Sequence, residues 1–322
     1  YQTIDHNAQR TSQLAFLRNL ARGEAYQAEA PTLWDVTFRT AVAQAELEDR
    51  ERDSAYHRIG FPISSQDDPE RIFIETTRPE LLAACVALVA HPDDERYQPH
   101  FGTEVVVPLY GQTVEVKAHE LAEPDKGSGI AMICTFGDTT DVTWGRELDL
   151  EMRAIIGHDG RLHSEPPHGV DADAYARIAG KYPSQAQRAV VEHLIEEGLL
   201  IGEPEPIQHP VKFYERGDRP LEIVTSRQWY IRNGGRDVEL RRALIERGEE
   251  LTWHPGHMRH RYENWVEGLN GDWLISRQRF FGVPIPVWYP LDADGEPMHE
   301  SPILPQEERL PIDPSTDVPD GY

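Results

Sequence analysis

The chain is poor in lysine. Of its 32 basic residues only Lys117, Lys126, Lys181 and Lys212 are lysines. Set against 56 acidic residues, this leaves a formal net charge of -24. So acidic a surface argues against broad, nonspecific attachment to nucleic acid, whose phosphates attract Lys and Arg. Cysteine is scarcer still, with Cys85 and Cys134 alone. Two cysteines cannot form a disulfide framework, and a reducing, cytoplasmic setting is expected. Both lie in apolar runs, "AACVALVA" and "IAMICTF", and read as small buried hydrophobes. No apolar run reaches membrane-spanning length and no signal-peptide pattern is present, so no membrane partner is expected. The first residues are YQTID, without an initiator Met, and a piece of a longer protein is expected.

The charge that is present is unevenly spread. Residues 207–290 carry Lys212 and a series of arginines from Arg216 to Arg279, so that segment is near neutral. The acid excess lies elsewhere. At 322 residues the chain can hold more than one core.

Residues 11–29 have Leu14, Leu17, Leu20 and Ala21 at helical spacing, with Thr11 or Ser12 as the expected cap. From about residue 55 the texture changes to short β-type segments: "YHRIGFPI", "RIFIETT", "CVALVAH", "TEVVVPLYGQTVEVKAH", "SGIAMICTF" and "MRAIIGHDG". "PLYGQTVEV" predicts a hairpin around Gly111-Gln112. Helices are predicted near 171–180 and 184–198, the second capped at Ser184 with Val190, Val191, Leu194 and Ile195 as its stripe. "GEPEPIQHP", 202–210, reads as a boundary, followed by a helix in "DVELRRALIERGEE" and a final Pro-rich stretch of loop.

Three patterns can carry chemistry. In "GSGIAMICTFGDTTDVTWGREL", 127–148, a Gly-rich turn leads into a strand, and a helix starts near Asp138. Asp138 and Asp141 have the spacing of an N-cap and its capping box. The same spacing presents two carboxylates that can bind an ammonium group or hold a water. In "IETTRPELL", 74–82, Thr76, Thr77 and Arg78 close a strand ahead of Pro79. They mark either a plain strand end or a sugar-phosphate subsite. In "NGDWLISRQRFFGVPIPVWYP", 270–290, Asp272, Trp273, Arg277, Gln278, Phe280 and Phe281 suit ligand recognition and packed core equally. A fourth pattern, "LTWHPGHMRHRYENW", places His254, His257 and His260 close together. Pro255-Gly256 interrupts any regular helix between the first two and no cysteine is near, so no metal is expected there.

In order along the chain, TTRPE, HPDDERY (91–97), G-S-G followed by D-x-x-D, and DWLISRQRFFG-V-P-I-P resemble the valyl branch of the class I aminoacyl-tRNA synthetases. The resemblance covers essentially the whole chain. It implies an α/β protein: residues 55–205 as a β-barrel-like editing domain with flanking helices, inserted into parts of a Rossmann-type catalytic domain at 1–54 and 206–322. It implies an enzyme that ligates valine to tRNA(Val) using ATP and Mg2+, working as a monomer, with no cofactor held by this piece. Threonine and valine are nearly isosteric, and an apolar pocket cannot strongly reject an added hydroxyl, this pair being the standard illustration of that limit. The implied editing reaction is hydrolysis of threonyl-tRNA(Val). By resemblance, Asp141 holds the α-amino group and Asp138 helps hold the site and its water. Thr76, Thr77 and Arg78 hold the terminal adenosine, and Met132 and Cys134 line the pocket. Many family members have Lys and Thr where this chain has Met132 and Cys134, and Thr where it has Leu81. Trp265, Asp272, Trp273 and Phe281 are implied walls of the synthetic site. The family's ATP-binding H-x-G-H lies before the editing insert, so "HPGH" at 254–257 is a coincidence. A leucyl-type editing region and a tRNA-binding module with a decayed editing site are the rival readings.

Overall fold

Asp5 starts the first helix. Its carboxylate accepts from the Ala8 N–H at 2.8 Å and caps α1 (His6–Ala21). The cap expected at Thr11 or Ser12 therefore lies inside the helix, where Thr11 donates to the Asn7 carbonyl. Gly23, at φ 70°, ends the helix, and the residues expected to continue it enter β1 (Ala25–Asp35) instead.

The computed structural model describes residues 2–64 and 70–321, so residues 65–69 of the expected insert lie outside the described residues. After β1 come β2 (Thr40–Ala41), β3 (Leu47–Pro62), β4 (Arg71–Thr76), β5 (Ala87–Ala90), β6 (Glu104–Val106), β7 (Thr113–Ala118) and β8 (Ile130–Ile133). Then follow α2 (Thr139–Glu147), α3 (Ala172–Ala176), α4 (Pro183–Glu196), β9 (Glu205–Tyr214) and β10 (Glu222–Ile231). The chain continues through α5 (Val238–Glu249), α6 (Met258–Glu267) and β11 (Trp273–Leu274). It divides into two units, residues 1–30 with 227–322 and residues 31–226.

The 31–226 unit is organised by β3. This 16-residue strand pairs antiparallel with β9 along its first part, Leu47↔Tyr214 to Tyr56↔Glu205. Along its last part it pairs with β4, His57↔Thr76 to Pro62↔Arg71. The stretch 202–210, expected as a boundary, is largely strand. Its prolines, Pro206 and Pro210, stand in an edge strand, where a missing N–H costs least. A second sheet runs β6-β7-β5-β8. The hairpin expected at Gly111-Gln112 joins β6 and β7, with Val107 N donating to Gln112 O at 2.8 Å and Gly111 at φ 74°.

The barrel-like closure expected of this region is not what the pairing gives. Among the described residues the two sheets are open and meet at a single bridge, Ile63↔Val105. A closed barrel needs a ladder around its whole circumference. Here β4 and β8 are both edge strands, and they approach each other without a ladder between them. "MRAIIGHDG" contributes one isolated bridge, Ile156↔Leu162, rather than a strand.

The core between these sheets contains Ile59, Phe61, Ile74, Leu82, Leu88, Val105, Tyr110 and Val116, closed by Ala186, Val190 and Leu194 of α4. Each large side chain buried there contributes roughly 1.5–3 kcal/mol. Ile195, expected in the α4 stripe, is exposed, so the stripe is narrower than predicted. Tyr182 takes the cap position and Pro183 is the first residue, so the cap lies two positions before the expected Ser184.

The other unit packs Phe16 and Leu17 of α1 against Ala25, Trp229, Val287, Leu310 and Ile312. Gln13 is buried beside them and donates to the carbonyls of Pro284 (3.0 Å) and Ile312 (2.6 Å) while accepting from Ile312 N (2.9 Å). Strands β10 and β11 pair there through Tyr230↔Leu274 and Ile231↔Trp273. No helix among the described residues is long and apolar enough to cross a membrane.

Candidate active site at the start of α2

Strand β8 ends at a kink. Thr135, fully buried, adopts φ 34°, a strained value for a β-branched residue. Its hydroxyl accepts from Arg153 N at 2.9 Å, and Phe136 N turns back to the Cys134 carbonyl. The kink aims the chain into α2, with Asp138 as its N-cap.

The two aspartates form a reciprocal capping box. Asp138 Oδ1 accepts from Thr140 N (2.7 Å) and Asp141 N (2.9 Å), and Asp141 Oδ2 accepts from Asp138 N (3.0 Å). Asp141 Oδ1 also accepts from Cys134 N at 3.2 Å, so the carboxylate bridges strand end and helix start. Asp138 is exposed and Asp141 is buried, at 8% exposure. Burial pushes the Asp141 carboxyl up to about 8, and the Asp138 charge acts in the same direction. The two backbone N–H groups and the Arg78 charge pull it back without cancelling that rise. Gly137 is required by this geometry: a Cβ there would overlap Asp141 Oδ2 and stand 3.3 Å from Asp141 Cγ.

Arg78 comes to the same place from β4. Its N–H donates to Thr76 Oγ1 at 3.0 Å, which fixes the strand end ahead of the 3-10 turn Pro79–Ala84. Its Nη1 donates to the Gly137 carbonyl at 3.2 Å. Its Nε donates to Glu80 (2.9 Å) and its Nη2 to Glu222 (2.9 Å). Burial disfavours the charge, but Glu222 and Glu80 outweigh it and hold the guanidinium above its ordinary value. Burial likewise raises Glu80, against the pull of Arg78. Three of the five guanidinium N–H groups are thus committed to protein. The expected adenosine contact falls to the other two and to Thr76 and Thr77. Thr77 is anchored by Gln187 of α4, whose Nε2 donates to its carbonyl at 2.9 Å.

The structure therefore brings Arg78, Asp138 and Asp141 together around Gly137. Met132 is partly buried against the core. Cys134 is buried, donates through Sγ to Leu81 O at 3.4 Å, and has its thiol raised well above its ordinary value by burial. Such a thiol packs and does not attack. Glu80 and Glu222, which hold Arg78, were not anticipated. Glu80 stands inside the TTRPE motif, whereas Glu222 lies 144 positions from Arg78 and has no local signal.

The remaining candidates lie in the other unit. Asp272 accepts from the Tyr26 hydroxyl at 2.6 Å; burial and then Asp272 push that hydroxyl up to about 12. Asp272 also lines a cavity of about 390 Å³ with Arg232, Arg236 and Asp237. Trp265, Trp273 and Phe281 are exposed, at 55%, 55% and 75%, which excludes packed core for them. His254, His257 and His260 are all exposed, and His257 directly precedes α6.

The family model described as tRNA synthetases class I (I, L, M and V) matches residues 1–308. The chain belongs to the class I tRNA synthetases. Among curated relatives it is similar to the valine–tRNA ligases of Thermobifida fusca (strain YX) and Leifsonia xyli subsp. xyli, 67% identical in each case. It is 65% identical to that of Salinispora tropica. Each match takes in all of this chain but 37–38% of the relative, so this synthetase chain spans a little over a third of their length. In this class I synthetase chain the capping-box carboxylates and Arg78 stand on the 31–226 unit.

Proposed function

We propose that this chain is the editing region, with adjoining catalytic-domain segments, of an enzyme that ligates valine to tRNA(Val). Its 31–226 unit hydrolyses threonyl-tRNA(Val). In this reading residues 55–205 are the editing domain, and 1–54 and 206–322 are parts of the catalytic domain. The observation that carries the reading is Asp141: a buried carboxyl of raised pKa, fixed by two backbone N–H groups, beside a second carboxylate and a clamped arginine.

Such a group suits an aminoacyl ester. An arriving ammonium lowers the Asp141 pKa, so the carboxylate forms as the cation binds. The amino acid is then held by its charge, and its ester carbonyl lies at the α2 N-terminus, where the helix dipole favours developing negative charge. Asp138, exposed and acceptor-rich, orients the attacking water. Thr76, Thr77 and the free N–H groups of Arg78 hold the terminal adenosine. Rate comes from positioning and electrostatics, with no metal and no covalent intermediate.

ATP and Mg2+ belong to the ligation reaction of the whole enzyme. The HPGH segment, 254–257, follows the editing region, whereas the resemblance puts the ATP-binding H-x-G-H before it. We assign that role to parts of the longer relatives outside these residues and derive no step through it.

The test is deacylation of mischarged threonyl-tRNA(Val) by the folded chain. It should shorten the ester half-life, and Asp141→Asn should lower the rate by about 100-fold or more. An unchanged half-life with wild-type protein refutes the reading. Faster loss of isoleucyl-tRNA(Leu) than of threonyl-tRNA(Val) would favour a leucyl-type site.

A further inference from the structure

Arg78 has more counter-charge than one fastening needs. Glu80 stands two residues away in the same 3-10 turn and accepts from Nε at 2.9 Å, so it travels with Arg78 wherever that turn lies. Glu222 comes from β10 and accepts from Nη2 at 2.9 Å. Both carboxylates are withdrawn from water, their side chains 4% and 10% exposed. Burying a second carboxylate is costly, and a buried ion pair seldom offsets that cost in stability. The two partners are not equivalent. Burial raises the Glu80 carboxyl, whereas Glu222 is the larger electrostatic support of the guanidinium. Glu222 therefore needs a reason other than fastening.

That reason lies in where the guanidinium stops. Nη1 donates to the Gly137 carbonyl at 3.2 Å, and Gly137 lies against Asp141, where a Cβ would overlap Oδ2. Arg78 thus reaches the residue next to the capping box. Among the described residues its ion pairs go to Glu80 and Glu222, not to Asp138 or Asp141. Asp141 is held instead by the backbone N–H groups of Cys134 and Asp138. The ionisable groups around it are Asp138 on α2, Arg78, Cys134 at the end of β8 and Cys85 after the 3-10 turn. Burial raises both thiols, so they stay uncharged, and Arg78 is the cation of the group. Ties to the turn, to the Gly137 kink and to β10 leave its planar fork one orientation.

We propose that Glu222 is a positioning residue of the carboxylate site: by holding Nη2 it keeps the Arg78 guanidinium at the Gly137 carbonyl and out of an ion pair with Asp141. The ammonium of an arriving aminoacyl ester then finds that carboxyl unclaimed. Without the Glu222 charge, Nη2 is released and the guanidinium can turn about its last side-chain bonds toward Asp141. An arginine paired with an aspartate lowers the carboxyl by about one to three pH units. The ammonium must then displace a cation already in place, at about tenfold in affinity per unit. The inference rests on the editing reading for the identity of the ligand, but not for the ion-pair geometry.

The experiment uses the whole chain labelled with carbon-13 aspartate, the Asp141 signal being the one lost in Asp141→Asn. In Glu222→Gln the amide oxygen can still accept from Nη2 but carries no charge. The Asp141 midpoint should fall from near 8 by about one pH unit or more. Glu222→Asp, which keeps the charge on a stem one methylene shorter, should restore most of the parent value. In an Arg78→Gln background, Glu222→Gln should move the midpoint no further, because no guanidinium is left to release. If that double variant does not fold, the two single variants decide. In the deacylation assay Glu222→Gln should raise KM for threonyl-tRNA(Val) by about tenfold with a smaller change in kcat, and Glu222→Asp should recover it. An Asp141 midpoint unmoved by Glu222→Gln, or moved equally with and without Arg78, overturns the proposal. Absence of hydrolysis by every protein, with the midpoint shift intact, overturns the editing reading and leaves the positioning role standing.

Discussion

Replacing Asp141 by asparagine should remove a pH dependence that folding now carries. The folded carboxyl sits at about 8, above its ordinary value of 3.8. Between those values the folded state keeps a proton that the unfolded state has released. The stability due to that proton is therefore full below about pH 4, falls as pH rises, and is gone above about pH 8. At 1.36 kcal/mol per unit, a window of about 4 units amounts to about 5 kcal/mol. Between about pH 6 and about pH 8 the loss is about 2.5 kcal/mol. Asparagine has a single acceptor oxygen, so one of the two N–H groups from Cys134 and Asp138 loses its partner, at roughly 1–3 kcal/mol at any pH. That offset is constant, and only the slope diagnoses the proton. Urea midpoints measured across this range should fall with pH for the parent and stay flatter for the variant. A carbon-13 titration of the parent should place the Asp141 carboxyl near 8. Parallel pH curves for the two proteins, or a carboxyl midpoint near 4, would refute the reasoning.

Gly137→Ala should be far costlier than an ordinary surface change. A methyl group there overlaps Asp141 Oδ2 and stands 3.5 Å from Cys134 Cβ, so the carboxylate must leave its two donors. A loss of about 2–4 kcal/mol in thermal unfolding is expected, with Gly256→Ala, which meets nothing within 4 Å, as the near-neutral control. In the other unit, Gln13→Leu should strip partners from Ile312 N and O and from Pro284 O. A loss of about 2–4 kcal/mol, with faster amide exchange at Ile312, is the expected result, and unchanged exchange would count against the tie.

What was legible in the sequence was local. Asp138 and Asp141 were readable as a capping box because the motif spans four residues and its bonds close within them. The hairpin at Gly111-Gln112 was readable because turn chemistry sits in the turn. α1 was found but misplaced, since Asp5 outcompetes Thr11 and Ser12 as an acceptor and Gly23 ends the helix where periodicity alone would run on. The 202–210 stretch was misread because its prolines are tolerated at a sheet edge, a fact set by β3 far earlier in the chain. The clamp on Arg78 was half legible. Glu80 was in the motif, but Glu222 reaches it only through tertiary folding. Exposure could not be read either: the aromatic cluster at 265–281 reads alike as core and as surface, and the fold alone decides.

The charge arithmetic around Arg78 bears on how such a site works. Glu80 and Glu222 both bind the guanidinium, so its charge is engaged by two partners before the aspartates are counted. Arg78 is thus too well compensated to neutralise Asp141, and burial leaves that carboxyl holding its proton near neutrality. Met132, partly buried against the core, supplies no further cation. In the proposed reading this is a gain for selectivity: the cation that settles Asp141 arrives with the ligand, as the ammonium of the misplaced amino acid. An ester without a free amino group, such as an N-acetylated threonyl-tRNA, leaves Asp141 protonated and unpaired. On the proposed function, the same buried environment that costs stability as pH rises is what would favour a charged aminoacyl end.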